Sequence, residues 1–200
     1  LGGTRYRCTG WTGTGSVPAS GSATTTIFTI NQPSSITWNW QIQYYVTFAS
    51  SGVSSDFAGT VVTVNGTAYN RNGVSYWADS GSSQSFAFGS PLVVTANSKR
   101  YVLTGVSGNT TSTSLTVSSA VTVTGSYKTQ FFLTNTLVPG SVNSITASPT
   151  ADSWYDSGTS VNVVLNYVWG ASSGLRNNLF SYTVDGSTTN VVRAGSGTFS

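Results

Sequence analysis

Apolar and polar residues alternate along much of the chain. In SSITWNWQIQYYVTF, Ser34 to Phe48, alternation puts Ile36, Trp38 and Trp40 on one face of an extended segment. A weaker copy, SAVTVTGSYKTQFFLT, runs from Ser119 to Thr134. No segment has the i, i+3, i+4 spacing of an amphipathic helix, and the apolar residues are mainly β-branched or aromatic. The pattern predicts an all-β protein.

Internal repeats define a module. RYRCTG at Arg5–Gly10 returns as RYVLTG at Arg100–Gly105, and YWADSG resembles WYDSG. A complete module begins with QYYV or QFFL, passes through the aromatic-Asp-Ser-Gly turn and an alternating strand, continues through RYxxTG, and closes on a long strand. Residues 43–128 contain every part, residues 129–200 only the opening half, and residues 1–42 only the closing half.

The two end segments are therefore predicted to be incomplete immunoglobulin-like β-sandwich modules. A sandwich that lacks a strand leaves an apolar groove and an unpaired row of backbone groups. The simplest repair uses strands from another copy, which adds a strand to an open sheet edge. Because donor and acceptor lie at opposite ends, this head-to-tail contact generates an open filament.

The prediction assigns residues to each role. The candidate donor residues alternate within the N-terminal segment, and they are Tyr6, Cys8, Ile27, Phe28, Ile30, Ile36 and Trp38. The candidate acceptor groove lies in the C-terminal segment, and its residues are Val163, Leu165, Tyr167, Tyr182, Val184 and Val191. Two alternatives stay open at this point. Residues 1–40 simply enlarge the sheets of the middle module to give a monomer, or the chain is one piece of a larger surface protein.

Charge is scarce. Charged residues make up 6% of the chain, with no Glu and no His, against about 25% in an ordinary soluble domain. The net charge of +3 comes from scattered cations without a basic stripe, which argues against a nucleic-acid partner. Acid unfolding arises mainly from protonation of native carboxylates and charging of neutral His. A chain with so few of these groups suits an acidic environment.

No residue set points to an enzyme or a cofactor. Without His or Glu, acid–base chemistry would depend on Asp, Lys or Tyr. Asp152, Asp156 and Asp79 suggest a carboxylate pair, but Asp79 and Asp156 fit better as turn residues that bind backbone amides. The single cysteine, Cys8, excludes an intrachain disulfide, and neither a zinc nor a calcium ligand set is present. A non-catalytic protein without metal or cofactor is expected.

Other features suggest an extracellular location. Asn65 in NGT and Asn109 in NTT are N-glycosylation sequons in predicted turns, so N-linked glycans are expected there. No apolar run is long enough to span a bilayer, so no membrane insertion of the mature chain is expected. Leu1-Gly2-Gly3 is typical of a processed chain, which predicts a cleaved signal peptide.

The stretches RYRCTGWTGTGS, SSITWNWQIQYYVTF and WYDSGTSVNVVL resemble repeats of archaeal extracellular proteins. The chain is most similar to the subunits of threads, glycosylated surface filaments of thermoacidophilic archaea. The resemblance implies a subunit that polymerises by donor-strand complementation in hot acid, for adhesion or cell–cell contact in biofilms, with surface glycans or abiotic surfaces as further partners. The alternative function is a carbohydrate- or surface-binding module of a larger secreted protein, with exposed Trp residues stacking on sugars.

Overall fold

The structure is a computed structural model that describes residues 2–108, 113–134, 144–148, 152–166, 181–184 and 187–190. For residues 144–148, 163–166, 181–184 and 187–190 it describes the backbone alone. Every regular element in these ranges is a β-strand, which confirms the all-β prediction. The strands are β1 (Thr4–Thr14), β2 (Ser20–Gly21), β3 (Ser35–Ser51), β4 (Val62–Val64), β5 (Thr67–Tyr69), β6 (Val74–Asp79), β7 (Ser83–Phe88), β8 (Leu92–Thr95), β9 (Lys99–Ser107), β10 (Ser114–Thr116), β11 (Val121–Phe132), β12 (Ser144–Ser148), β13 (Trp154–Asp156), β14 (Asn162–Asn166), β15 (Ser181–Val184) and β16 (Ser187–Asn190).

The chain divides into two compact units. The first contains residues 1–133 and 153–159, and the second contains residues 134–152 and 160–200. These limits differ from the segments expected from the repeats. β3 runs without a break across the expected boundary at residue 42, and β11 runs across the one at residue 128. Both long strands therefore belong to two successive modules of the repeat.

Two sheets face each other in the first unit. The larger has the strand order β2-β1-β3-β11-β9-β8, with β6 also paired to β3 and β13 also paired to β11. The smaller has the order β10-β7-β4-β5. All pairs are antiparallel except β3 with β11, which run parallel from Val46 opposite Val121 to Ser51 opposite Ser126. A parallel pair needs a long connection, and the residues of β4 to β10 supply it.

Alternating apolar residues of both sheets form one core. Phe48 of β3 and Val123 of β11 come from the larger sheet, and Val62 of β4, Phe86 of β7 and Leu115 of β10 come from the smaller. Burying side chains of this size stabilises a fold by roughly 1.5–3 kcal/mol each. A neighbouring cluster joins the larger sheet to the loop before β4, and its buried residues are Val61, Leu92, Tyr101 and Tyr127.

The second unit contains two small antiparallel pairs among its described residues. β12 pairs with β14, with Ile145 opposite Leu165 and Ala147 opposite Val163. β15 pairs with β16, with Tyr182 opposite Thr189.

Candidate assembly surface

The sequence repeat is also a repeat of side-chain contacts. In the first copy, the Arg5 Nε donates to Gln43 Oε1 at 2.7 Å, and the Gln43 Nε2 donates to Asp79 Oδ1 at 2.6 Å. Arg7 also pairs with Asp79, at 3.1 Å. The Arg5 guanidinium lies 4.7 Å from the centre of the Trp77 ring, within cation–π distance. These contacts join the adjacent strands β1, β3 and β6.

The second copy has the same arrangement across β9, β11 and β13. The Arg100 Nε donates to Gln130 Oε1 at 2.8 Å, and the Gln130 Nε2 donates to Asp156 Oδ1 at 2.7 Å. Lys128 takes the role of the second cation, 2.9 Å from Asp156. The Arg100 guanidinium lies 4.3 Å from the Trp154 ring centre. The β1–β3–β6 and β9–β11–β13 groups are therefore two copies of one three-strand unit.

The Thr-Gly of RYxxTG forms the same irregularity in both copies. The register of β1 against β3 shifts at Thr9, and the register of β9 against β11 shifts at Thr104. The Thr9 hydroxyl donates to the Asn39 carbonyl at 3.2 Å, and the Thr104 hydroxyl donates to the Ser126 carbonyl at 2.9 Å. A β-bulge of this kind bends a strand and fixes its register. The equivalence of the two strand pairs thus holds residue by residue.

On the opposite face, the second copy is covered. Tyr101 of β9 is fully buried, and Tyr127 of β11 is 7% exposed, both against Val61 and Leu92. The Tyr127 hydroxyl donates to the Gly89 carbonyl at 2.9 Å, and burial raises the pKa of this phenol to about 12. β8 pairs with the outer edge of β9 and completes the cover.

The equivalent face of the first copy is open. Tyr6 and Trp40 correspond to Tyr101 and Tyr127, but their exposed fractions are 65% and 61%. Ile42, opposite Tyr6, is also exposed. Among the described residues, no strand equivalent to β8 pairs with the outer edge of β1 between Thr4 and Cys8. We call this face, made of Tyr6, Cys8, Trp40 and Ile42, the open face.

The predicted donor residues fall in three places. Tyr6 and Cys8 lie on β1, and Ile36 and Trp38 lie on β3, where Trp38 packs edge-to-face on Trp11. The other three lie between β2 and β3, outside any strand, and all are exposed: Ile27, Phe28 and Ile30. The structure thus brings four of them together on paired strands.

The predicted acceptor residues lie in the second unit. Val163 and Leu165 are on β14, and Tyr182 and Val184 are on β15, whereas Tyr167 and Val191 lie outside the described residues. Counted from the two Asp-Ser-Gly turns, Val163 and Leu165 of β14 match Phe86 and Phe88 of β7. β12 opposite β14 likewise matches β4 opposite β7, because Ile145 faces Leu165 as Val62 faces Phe88.

The interpretation of Asp79 and Asp156 was wrong in one respect. Both begin a turn, since their carbonyls accept from Ser82 N and Thr159 N at 3.0 Å. Among the described residues, however, their carboxylates accept from Gln and cationic side chains of the neighbouring strands, and no bond from a turn amide to either carboxylate is seen. The hydrogen bond from Lys128, and then that from Gln130, lowers the pKa of Asp156.

A second polar group was missed by the sequence reasoning. Asp56, in the loop before β4, accepts from Lys99 at 2.7 Å and from the buried Tyr101 hydroxyl. The hydrogen bond from Lys99, followed by that from Tyr101, lowers the pKa of Asp56. The Arg–Gln–Asp contacts could have been found from the sequence, because Arg, Gln and Asp recur at equivalent positions of the repeat. Asp56 has no such recurrence in the sequence.

Of the two sequons, Asn65 lies in the turn between β4 and β5 with a φ of 48°, and Asn109 lies outside the described residues. The Asn65 side chain folds back on β7. Its Oδ1 accepts from Ser85 N at 2.9 Å, and its Nδ2 donates to Gln84 Oε1 at 2.6 Å. Asn65 is exposed as a residue, and its side chain holds the turn through these two bonds.

No metal-ligand cluster and no helix long and apolar enough to cross a membrane occurs in the described part of the chain. Comparison with known proteins gives no match, whether to protein-family models, to curated proteins or to solved structures.

Proposed function

We propose that this protein is the structural subunit of an extracellular filament, which polymerises head-to-tail as the N-terminal strands of one copy complete the C-terminal unit of the next. The observation that carries the proposal is the contrast between two equivalent faces. Tyr101 and Tyr127 are 0% and 7% exposed, whereas Tyr6 and Trp40 are 65% and 61% exposed. A monomeric protein gains nothing from leaving an aromatic cluster of this size in water.

The internal repeat supports the choice of partner. The cover over Tyr101 and Tyr127 comes from the module that precedes β9 in the chain. Among the described residues no strand pairs with the outer edge of β1 between Thr4 and Cys8, while β12 and β14 match β4 and β7 without a described counterpart of β9 and β11. These observations support the proposal that the open face and the second unit are complementary halves of one module.

In this proposal each completed module is an immunoglobulin-like β-sandwich. Its contact is heterologous, because the surface at one end differs from the surface at the other, so copies add in one direction. The resemblance to thread subunits favours a cell-surface filament in an acidic, hot environment, used for adhesion or cell–cell contact. The low content of titratable groups, 5 Asp with no Glu or His, supports that setting.

The experiment is size-exclusion chromatography and negative-stain microscopy of the full chain. We expect filaments that survive dilution, and we expect Trp40→Asp to abolish them, since a charge on the open face would be buried without a partner. Val93→Asp is the matched control, because Val93 is 49% exposed on β8, outside the open face. A wild-type chain that stays monomeric at high concentration would overturn the proposal.

The exposed Tyr6 and Trp40 side chains also favour one other function, the stacking of sugar rings by a carbohydrate-binding module. Titration of the protein with soluble oligosaccharides distinguishes this function from filament assembly. Quenching or enhancement of Trp fluorescence in a monomeric chain, lost in Trp40→Ala, would favour the binding module.

A further inference from the structure

The segment Thr26–Ile30 contains three apolar side chains that are exposed in the isolated chain. Ile27 is 98% exposed, Ile30 69% and Phe28 36%. The segment belongs to no strand, although it lies between β2 and β3 and is fully described. A run of exposed apolar residues in an extended segment is a site for pairing with another chain.

The internal repeat aligns this segment with residues of the second copy. Counting back from Gln43 and Gln130 without a gap places Phe28 on Leu115 and Ile30 on Val117. Leu115 and Val117 are 7% and 0% exposed, and both belong to the main core. Phe28 and Ile30 are therefore equivalent to core residues, yet they lie in water.

β10 shows how such a segment is held. It pairs antiparallel with β7, with Ser114 opposite Ser85 and Leu115 opposite Gln84. Backbone bonds extend the pairing, since Val117 N donates to Ser82 O at 2.9 Å. β10 thereby covers the edge of β7 that lies opposite β4 and places Leu115 in the core.

The second unit presents the equivalent edge. Counted from Asp79 and Asp156, the residues Ser83, Gln84 and Ser85 match Ser160, Val161 and Asn162. Here β14 pairs with β12 as β7 pairs with β4. Within the described ranges no strand pairs with the second edge of β14.

We propose that Ile27–Thr29 of one copy pairs antiparallel with Ser160–Asn162 of the next copy, in the place that β10 occupies on β7. This inference rests on the proposed filament and specifies the strand that is donated and its register. Phe28 lies opposite Val161, as Leu115 lies opposite Gln84, and Phe28 and Ile30 close the core of the acceptor. Ile27 lies opposite Asn162 on the outer face, as Ser114 lies opposite Ser85.

A disulfide tests the register. Ile27→Cys and Asn162→Cys are combined, and the filaments are oxidised and denatured, with the wild-type chain as the control for cross-links through its one cysteine, Cys8. Opposed residues of an antiparallel pair lie roughly 4.5–5.5 Å apart, within disulfide range. We expect a ladder of covalent oligomers. Ser114→Cys with Ser85→Cys is the positive control and gives an intrachain bond. Ile27→Cys with Val161→Cys is the negative control, because those side chains face opposite sides of the ladder.

A mixing experiment shows whether the acceptor strand belongs to a second copy or to the second unit of the same chain. Chains with only Ile27→Cys are mixed with chains with only Asn162→Cys. A disulfide-linked heterodimer supports the proposal, whereas an intrachain bond in the double variant without heterodimer overturns it. Filaments that form without either cross-link contradict the strand and register but leave the filament intact. A chain that forms neither filaments nor cross-links overturns both proposals.

A pair of substitutions provides an independent test. Ile30→Asp is expected to leave unfolding of the isolated chain unchanged, because Ile30 is mostly exposed, and to raise the concentration needed for assembly by about a hundredfold or more. Thr29→Asp is the control, since its equivalent Thr116 is exposed. Val117→Asp, at the equivalent buried position, is expected to unfold the chain. Normal assembly by Ile30→Asp would contradict the proposal.

Discussion

Tyr6 and Tyr101 occupy the same position of one structural repeat, the second residue of RYRCTG and of RYVLTG. Nevertheless, Tyr6 is 65% exposed and Tyr101 is fully buried. Their strands pair in the same way with β3 and β11, and the arginine before each donates to an equivalent glutamine. Only the surroundings differ: β8 and the loop before β4 cover Tyr101.

This contrast predicts that the same substitution, Tyr to Ala, affects stability strongly at one position and hardly at the other. Tyr101→Ala is expected to reduce the free energy of unfolding by roughly 3–5 kcal/mol, as for large aromatic residues in a core. Tyr6→Ala is expected to change it by less than about 0.5 kcal/mol in the monomer. Urea unfolding of both variants, at concentrations that keep the chain monomeric, checks the difference. Equal effects would show that Tyr6 is buried in solution.

Gln43 is the centre of the first Arg–Gln–Asp group and is 6% exposed. Gln43→Ala removes the bonds to Arg5 and Asp79, and hydrogen bonds to charged groups contribute roughly 1.5–3 kcal/mol. We expect a loss in that range by thermal or urea unfolding, with the exposed Gln32→Ala as control. A double-mutant cycle with Asp79→Asn should give a coupling clearly different from zero. Additive effects would argue that the group has no energetic role.

Stability is expected to fall on acidification through the two carboxylates with lowered pKa, Asp56 and Asp156. A lowered folded-state pKa contributes stability that is complete well above the unfolded value of 3.8 and is lost as pH falls through the folded pKa. Urea unfolding curves recorded between neutral pH and pH 2 measure this loss of stability. The double variant Asp56→Asn, Asp156→Asn is expected to show a flatter pH dependence and lower stability at neutral pH. A wild-type chain that gains stability below pH 4 would contradict the sign.

Glycosylation of Asn65 is testable without disturbing the turn that its side chain holds. Thr67→Ala removes the sequon and leaves the Asn65 bonds to Ser85 and Gln84 in place. Mass spectrometry of protein from a native-like host is expected to show a glycan on Asn65 in the wild type and none in Thr67→Ala. Unfolding of the unglycosylated forms should be almost equal, whereas Asn65→Ala should lower stability. An unmodified wild-type Asn65 would refute the expectation.

The sequence by itself determined the all-β class and the repeat, because alternation with period two and the turn residues are local properties of the chain. It also predicted Tyr6, Cys8, Phe28 and Ile30 as donor residues, because apolar residues alternate along the N-terminal segment.

Only the tertiary structure decided which strands are neighbours. Periodicity tells which face a residue occupies, but not which strand lies beside it. The parallel pairing of β3 with β11 and the Asp56 contact to Tyr101 join residues far apart in the chain, and no local pattern records them. Whether an apolar face is covered is likewise a property of its neighbours, and for that reason Tyr6 and Tyr101 share a motif but differ in burial.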